Sequence, residues 1–370
     1  MTTINELGIS KFTNIGGVTC YMNSILAILQ QTPIFTDFML CGIFKPELLT
    51  KYDKTTLDSS VTYNLYHLLK ISASHDNFNI IPSSFRKSMA LKDSIWGEQN
   101  QQDSQEFLTA IFGQLDNEIS KKVIFIPGLK ETNLKELPVK QNIITILATI
   151  AWQKFIKNEF SLVKTLFTGM TRMTTTCTKC SNQSNNFDIF QTLQLSIPVD
   201  KHLYKTFTLE DCMDHYIMNE KLDKDNMMNC SFCYKMNPST KKTILWNTPT
   251  ILIIHLKRFI VNMHGIPTQK LNNMIKYKHH IDIKKYVDSM SPDYIKGNTQ
   301  YTLFAVNCHH NLSNSMINSI NFGHYTSIVK NQYNKKWYHF DDDLVTKINN
   351  MDNIITQNAY MLFYQLSSTI

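Results

Sequence analysis

Cys177-Thr178-Lys179-Cys180 and, after 49 intervening residues, Cys230-Ser231-Phe232-Cys233 constrain the fold of this chain more than any other feature. Two CxxC pairs on hairpin-like turns offer four thiolates in tetrahedral reach, which suits one zinc ion at a closed structural site. Such a site obliges two segments far apart in sequence to meet. Two disulfides, or redox chemistry, are the alternative. Met1 to Glu6 is polar and acidic and reads as no signal peptide, so a reducing intracellular compartment, cytoplasm or nucleus, is expected and disulfides are disfavoured. Cys41, Cys212 and Cys308 have no partner pattern and read as buried thiols.

A further cysteine, Cys20, stands where Gly16-Gly17-Val18-Thr19 runs into the apolar spacing of Ile25, Leu26, Ile28 and Leu29, which Pro33 ends. That places Cys20 at a helix N-terminus, where unpaired N–H groups and the helix dipole favour the thiolate. Cys20 is therefore the candidate nucleophile, although a free cysteine at a helix end is commonly just a small apolar filler. A nucleophile needs a base and a group that orients the base. Gly323-His324-Tyr325-Thr326 opens an alternating strand, and Trp337-Tyr338-His339-Phe340 leads into Asp341-Asp342-Asp343. The order Cys, His, Asp is one that cysteine proteases use.

These residues resemble the ubiquitin-specific proteases, papain-like deubiquitinases built as thumb, fingers and palm. The resemblance runs over nearly the whole chain. It includes Thr19 to Ser24, Gln101 to Leu108, Leu166-Phe167-Thr168-Gly169, Leu193 to Pro198, Thr250 to Phe259, Gly323-His324-Tyr325, Phe340-Asp341-Asp342 and Ala359 to Tyr364. It implies an α+β fold: a papain-like cysteine protease with thumb, zinc-tied fingers and a β-sheet palm. It implies Cys20 as nucleophile, His324 as general base, Asp341 as the residue that orients it, and Asp342 as an assisting acid. His339 alternates onto the face of Asp341 and reads as an edge-strand histidine in solvent.

One departure from the family pattern concerns the oxyanion-hole asparagine, usually five residues before the nucleophile. Here Asn14 stands six before Cys20, and Gly16-Gly17-Val18 looks like a one-residue insertion. Either the glycines bulge and return Asn14 to its place, or the hole relies on the Cys20 backbone N–H and other donors. Asp103 and Glu106, spaced i and i+3 on a helix, are expected to share a face. By the resemblance they contact the arginine-bearing C-terminal tail of ubiquitin, a pairing that carboxylates and guanidinium groups favour.

The 370 residues, 43% apolar, support a sizeable core, and the formal charge of +7 is spread along the chain, so no nucleic-acid partner is expected. Ile143 to Trp152 is the most apolar run and reads as a buried helix, too short to span a bilayer. No membrane association is expected. A single catalytic domain over 8–367 is expected, with thumb about 8–160, fingers about 161–250 and palm about 251–367. Helices are predicted over 20–32, 61–74, 82–90, 103–120 and 143–157, with a helical insert near 209–220. Palm strands are predicted over 251–256, 301–306, 325–329, 337–340 and 360–364. Residues 121–140 read as a loop and 307–322 as a mobile flap before His324.

The functional expectation is a monomeric deubiquitinase acting on ubiquitin and ubiquitinated proteins. It would hydrolyse isopeptide or peptide bonds at the C-terminal glycine of ubiquitin through an acyl-thioester on Cys20. It would carry one structural zinc on Cys177, Cys180, Cys230 and Cys233 and use no catalytic cofactor. The alternatives are a catalytically weakened ubiquitin-binding protein and a protease for another ubiquitin-like modifier. A zinc-ribbon nucleic-acid binder is a third, but it leaves the cysteine and histidine boxes unexplained.

Overall fold

The structure, a computed structural model, describes residues 9–74, 78–123, 140–157, 160–198, 206–263, 267–311 and 323–367. The first part is helical. Helix α1 spans Cys20–Leu29 and all ten of its residues are buried. Around it lie α2 (Phe35–Cys41), α3 (Lys45–Lys51), α4 (Val61–Ser74), α5 (Ser83–Ala90) and α6 (Ser104–Ile119). A helix buried on all sides has no polar face to keep, which fits the apolar run that follows Cys20. Tyr21, Phe107, Trp96 and Phe85 interlock at α1 and α6 with ring centroids 5.0 to 6.2 Å apart.

Helix α7 (Lys140–Ile156) corrects one expectation. It is a helix, but only Ala148 and Ile156 are buried among its described side chains. Ala148 packs with Met170 and Trp246, so the apolar run lies over the surface of a sheet instead of inside the core. Among the described residues, no helix is long and apolar enough to cross a membrane. Helix α8 (Leu162–Phe167) leads into that sheet.

The sheet is four-stranded. Strands β1 (Gly169–Cys177), β2 (Gln183–Phe190), β4 (Glu220–Leu222) and β7 (Ser239–Asn247) lie in the order β2-β1-β7-β4. Cys177 is opposite Ser239. At this end a separate hairpin, β5 (Met228–Cys230) with β6 (Lys235–Asn237), brings up the second cysteine pair. Strand β3 (Leu193–Ser196) returns the chain to the larger sheet, and α9 (Leu209–Tyr216) packs on that sheet.

The larger sheet contains β8 (Ile251–Lys257), β9 (His280–Asp282), β10 (Gln300–Asn311), β11 (Gly323–Lys330), β12 (Trp337–Asp341), β13 (Leu344–Ile348) and β14 (Ala359–Leu366). Its order is β13-β12-β11-β10-β14-β8-β3, with β9 also on β10. Both faces are covered. Ile251, Ile253, Tyr325, Tyr338 and Phe340 pack toward α1, whereas Leu252, Ile254, Leu256, Ile328 and Trp337 face a second apolar cluster with α9. Strands covered on both sides read as continuous apolar runs, which is why Ile251 to Leu256 shows no alternation.

Three expectations change at the sheet's edge and nearby. Strand β10 runs on to Asn311, so 307–311 is strand, while the rest of the expected flap lies outside the described residues. Strand β13 covers β12, so His339 is not on an edge. Most of the loop expected over 121–140 also lies outside the described residues. Helices α2 and α3 were not anticipated; Cys41, at the end of α2, is exposed, in contrast to buried Cys212 and Cys308.

Candidate active site

Cys20 is the first residue of α1, and its side chain is fully buried. The loop before it closes on itself. The Thr19 N–H donates to Asn14 Oδ1 at 2.8 Å, and the Ile15 N–H donates to Thr19 Oγ1 at 2.8 Å. Between them Gly16 and Gly17 both adopt left-handed backbone, with φ of 67° and 72°. Two consecutive left-handed residues are ready for glycine and strained for others. The paired glycines thus form a bulge that absorbs the extra residue while Asn14 stays bonded to the residue before Cys20.

The opposite wall comes from β11 and β12. His324 is the second residue of β11, Asp341 is the last of β12, and His324 Nε2 lies 2.5 Å from Asp341 Oδ1. Nε2 being committed to the carboxylate leaves Nδ1 for the thiol. The hydrogen bond with Cys20 is the main influence raising the His324 pKa, to about 9; burial opposes it and Asp341 adds to it. A thiol, an imidazole and a carboxylate in sequence can generate a nucleophile and return a proton to a leaving group.

Asp342 turns the other way. It occupies the turn between β12 and β13 with φ of 53°, a conformation that Asp tolerates better than most residues. Its Oδ2 accepts from Asn14 Nδ2 and its Oδ1 from Asn23 Nδ2, each at 2.8 Å, while its carbonyl accepts from the Phe12 N–H. Burial raises its pKa. The side chain therefore ties the loop before Cys20, the body of α1 and the hairpin of β12 into one unit. Asn23 was not anticipated, although it stands three residues after Cys20 and hence one turn along the same helix.

Asp103 and Glu106 do not share a face. Asp103 is the N-cap of α6, and its Oδ1 accepts from the N–H groups of Gln105 and Glu106. Its Oδ2 accepts from Tyr325 at 3.1 Å and Tyr360 at 2.6 Å, and the residue is buried. A capping residue lies outside the helical spacing, so the i, i+3 rule did not apply to it. Glu106 is exposed as a residue, and its carboxyl pKa is raised by desolvation and by Asp103. Nearby, Ser104, Asn307 and Ser24 form a buried chain of hydrogen bonds at 2.8 and 2.9 Å that fixes α6 to β10 and α1.

At the far end of the four-stranded sheet the sulfurs of Cys177, Cys180, Cys230 and Cys233 all lie within 4.8 Å of one another. Backbone N–H groups lower the first thiol of each pair: that of Cys180 acts on Cys177, and that of Cys233 on Cys230, which falls to about 7. Four convergent thiols so cradled fit a tetrahedral metal ion. All eight cysteines are free thiols.

The family model described as ubiquitin carboxyl-terminal hydrolase matches residues 10–364. Ubiquitin carboxyl-terminal hydrolase Usp2 of Drosophila melanogaster is 28% identical over 359 residues, which cover 97% of this chain and 35% of that protein. Ubiquitin carboxyl-terminal hydrolase 2 of Homo sapiens is 29% identical over 370 residues, covering 100% of this chain and 57% of its own length. This chain thus spans from about a third to just over half of those relatives. Among solved structures, the SAGA Ubp8/Sgf11/Sus1/Sgf73 DUB module bound to ubiquitin aldehyde matches with a TM-score of 0.70 at 21% identity, over 99% of this chain and 71% of that one, a likeness of fold. With the family model spanning nearly the whole sequence, the chain belongs to the ubiquitin carboxyl-terminal hydrolase family.

Proposed function

We propose that this chain is a thiol deubiquitinase that cleaves the bond after the C-terminal glycine of ubiquitin. The observation that carries the reading is the array of Cys20 at the start of α1, His324 close enough for Cys20 to raise its pKa, and the 2.5 Å contact of His324 with Asp341. In this reading His324 takes the proton of Cys20, and the thiolate attacks the glycine carbonyl carbon. The C–S bond forms as the C–N bond breaks, His324 returns the proton to the leaving lysine amine, and water resolves the acyl-thioester. Asp341 holds the tautomer and stabilises the imidazolium.

Asn14 is proposed as an oxyanion donor. Its Nδ2 carries two hydrogens and one is given to Asp342, so the second, with the Cys20 N–H, is available to the developing oxyanion. Asp342 then assists by fixing Asn14. Exposed Glu106 is proposed to meet the arginine-bearing ubiquitin tail, and buried Asp103 to act through the tyrosines that it seats. Zinc on Cys177, Cys180, Cys230 and Cys233 would be structural, tying fingers that grip the folded part of ubiquitin. The division into thumb, fingers and palm within one domain over 8–367 follows the same reading. Covered sheet faces support a monomer, and eight free thiols support a reducing intracellular compartment.

The test is turnover of a fluorogenic ubiquitin C-terminal amide by the purified protein beside Cys20→Ala. Loss of roughly 10⁴-fold or more in the variant is expected. Wild-type protein that binds ubiquitin without turnover would overturn the catalytic reading in favour of a binding role.

A further inference from the structure

Two imidazoles flank the pair of His324 and Asp341 and take no part in the chemistry proposed above. His310 on β10 lies directly opposite His324 on β11. His339 is two residues before Asp341 on β12 and therefore shares its face. Between the two rings stands Thr326 of β11, whose Oγ1 is 2.9 Å from His310 Nε2 and 3.1 Å from His339 Nε2. Behind His310, Asn358 places Nδ2 at 3.0 Å from His310 Nδ1.

With the Asn358 amide nitrogen facing His310, these contacts assign one tautomer to each ring. An amide nitrogen only donates, so His310 Nδ1 accepts, and the neutral ring carries its hydrogen on Nε2. That N–H donates to Thr326 Oγ1. The hydroxyl has one hydrogen of its own and gives it to His339 Nε2, which places the His339 hydrogen on Nδ1. The chain runs in one direction, Asn358 to His310 to Thr326 to His339. A proton added to His339 would land on the nitrogen that already accepts, and the hydroxyl would have to turn toward Cys308, its sulfur neighbour across β10 and a weak acceptor.

We propose that Thr326, backed by His310 and Asn358, is a positioning residue for the catalytic pair: it holds both flanking imidazoles neutral in fixed tautomers, so that His324 alone in this row takes and returns the proton. The proposal rests on the catalytic reading given above. A cation at His339 would compete with the His324 imidazolium for Asp341. The other charged and titratable groups facing these rings are His324, Asp341, Lys270 and Cys308. Burial, with the nearby His324, lowers His310 to about 4; burial first, and then His324, lowers His339 against the pull of Asp341.

Long-range ¹H–¹⁵N spectra of the imidazole rings, recorded on the full chain from pH 5 to 9, test this without relying on turnover. The expected result is His310 with hydrogen on Nε2, His339 with hydrogen on Nδ1 in its neutral form, and His339 titrating below the ordinary imidazole value. A His339 that titrates near 6.5, or the opposite tautomer at either ring, would overturn the chain. Thr326→Val keeps the shape and removes the hydroxyl. It should move the His339 titration upward, with burial still holding it below its ordinary value, and bring an added ionisation into the acidic limb of kcat/KM, lowering activity at pH 5.5 by about twofold or more relative to wild type. Adding His339→Gln to that variant should remove the extra ionisation. An active wild type whose pH profile is unchanged by Thr326→Val overturns the proposal alone. A wild type without turnover overturns the catalytic reading, and the role proposed for Thr326 with it.

Discussion

Cysteine does opposite work at the two ends of this molecule. Cys20 is surrounded by a helix buried on every side, by a loop bonded to itself and by an aspartate turn that grips both. The four finger cysteines stand at the tip of narrow strands, where Phe232, Tyr234 and Met236 are 70%, 87% and 57% exposed. A two-stranded hairpin of three residues per strand has no core and is marginal in isolation. Packing alone can hold the first site, whereas the second has little core to hold its turns together. In the proposed function the same residue type is a reactant where the core supplies the rigidity, and a ligand where it does not.

Removing the metal tests that contrast most severely. Structural zinc contributes on the order of 10 kcal/mol in small zinc-binding peptides, comparable to the whole stability of an ordinary domain. Chelation, or Cys180→Ser, should release about one equivalent of zinc, unfold the finger end and abolish tight ubiquitin binding. The alkylation rate of Cys20 by iodoacetamide should change by less than about threefold, because α1 is packed independently. If chelation slowed alkylation as strongly as it loosened the fingers, the two regions would be one cooperative unit and the comparison would fail.

Within the catalytic end, two adjacent aspartates divide the labour. Asp341→Asn should lower kcat by roughly 10³- to 10⁴-fold, since an amide can present the wrong group to Nε2 and cannot stabilise the imidazolium. The imidazole titration should also move. Cys20 first, and Asp341 with it, push the His324 pKa up to about 9 against the effect of burial. A group raised in the folded state stabilises it most below the unfolded value near 6.5, and that contribution is lost as pH rises toward 9. In Asp341→Asn the NMR titration of His324 should shift downward, and an unshifted titration would count against Asp341 as its partner.

Asp342→Ala should act differently. It releases Asn14 and Asn23 and leaves the contact of His324 with Asp341 in place, so the expected loss is about 10²- to 10³-fold in kcat with the His324 titration moved less than in Asp341→Asn. Asn14→Ala should give a similar loss, and the double variant little more than either alone, because both remove one positioned donor. Additive losses would show that Asp342 serves something other than Asn14.

The sequence carried the chemistry better than it carried the surroundings. That Cys20, His324 and Asp341 would meet, and that the two cysteine pairs would converge, was legible from side chains of nucleophile, base and ligand type placed beside turns. The palm strands were legible from long apolar runs. Orientation was not: Asp103 reads as a helical residue beside Glu106, but as an N-cap it turns inward to Tyr325 and Tyr360. His339 reads as solvent-facing because β13, hidden behind the three aspartates, gives little apolar signal: Leu344, Thr346 and Lys347 are exposed. Helices α2 and α3 are too short for periodicity; left-handed Gly42 ends one, and Pro46 stands near the start of the other. The apolar run of α7 was visible, but not that it would lie over a sheet with most of its described side chains only partly buried.

The smallest expected effect bears on the paired glycines of the loop before Cys20. Gly17 has a φ of 72° and open space where a Cβ would stand, whereas at Gly16, with φ of 67°, a Cβ would come within 2.4 Å of Gln99 Oε1. Gly17→Ala therefore isolates backbone strain, on the order of 1 kcal/mol, and should lower Tm by about 1 to 2 °C in a chain of this size. Gly16→Ala adds a collision with a flexible side-chain end and should cost more. If the bulge exists to return Asn14 to the cleft, both variants should lose turnover beyond what their stability explains, since the strained loop can relax by letting go of Thr19. Equal stability of both variants with wild type would mean that the loop does not hold the left-handed pair in solution. Asn14 would then be free of Asp342, and the rigidity credited to the catalytic end would stop at the first residue of α1.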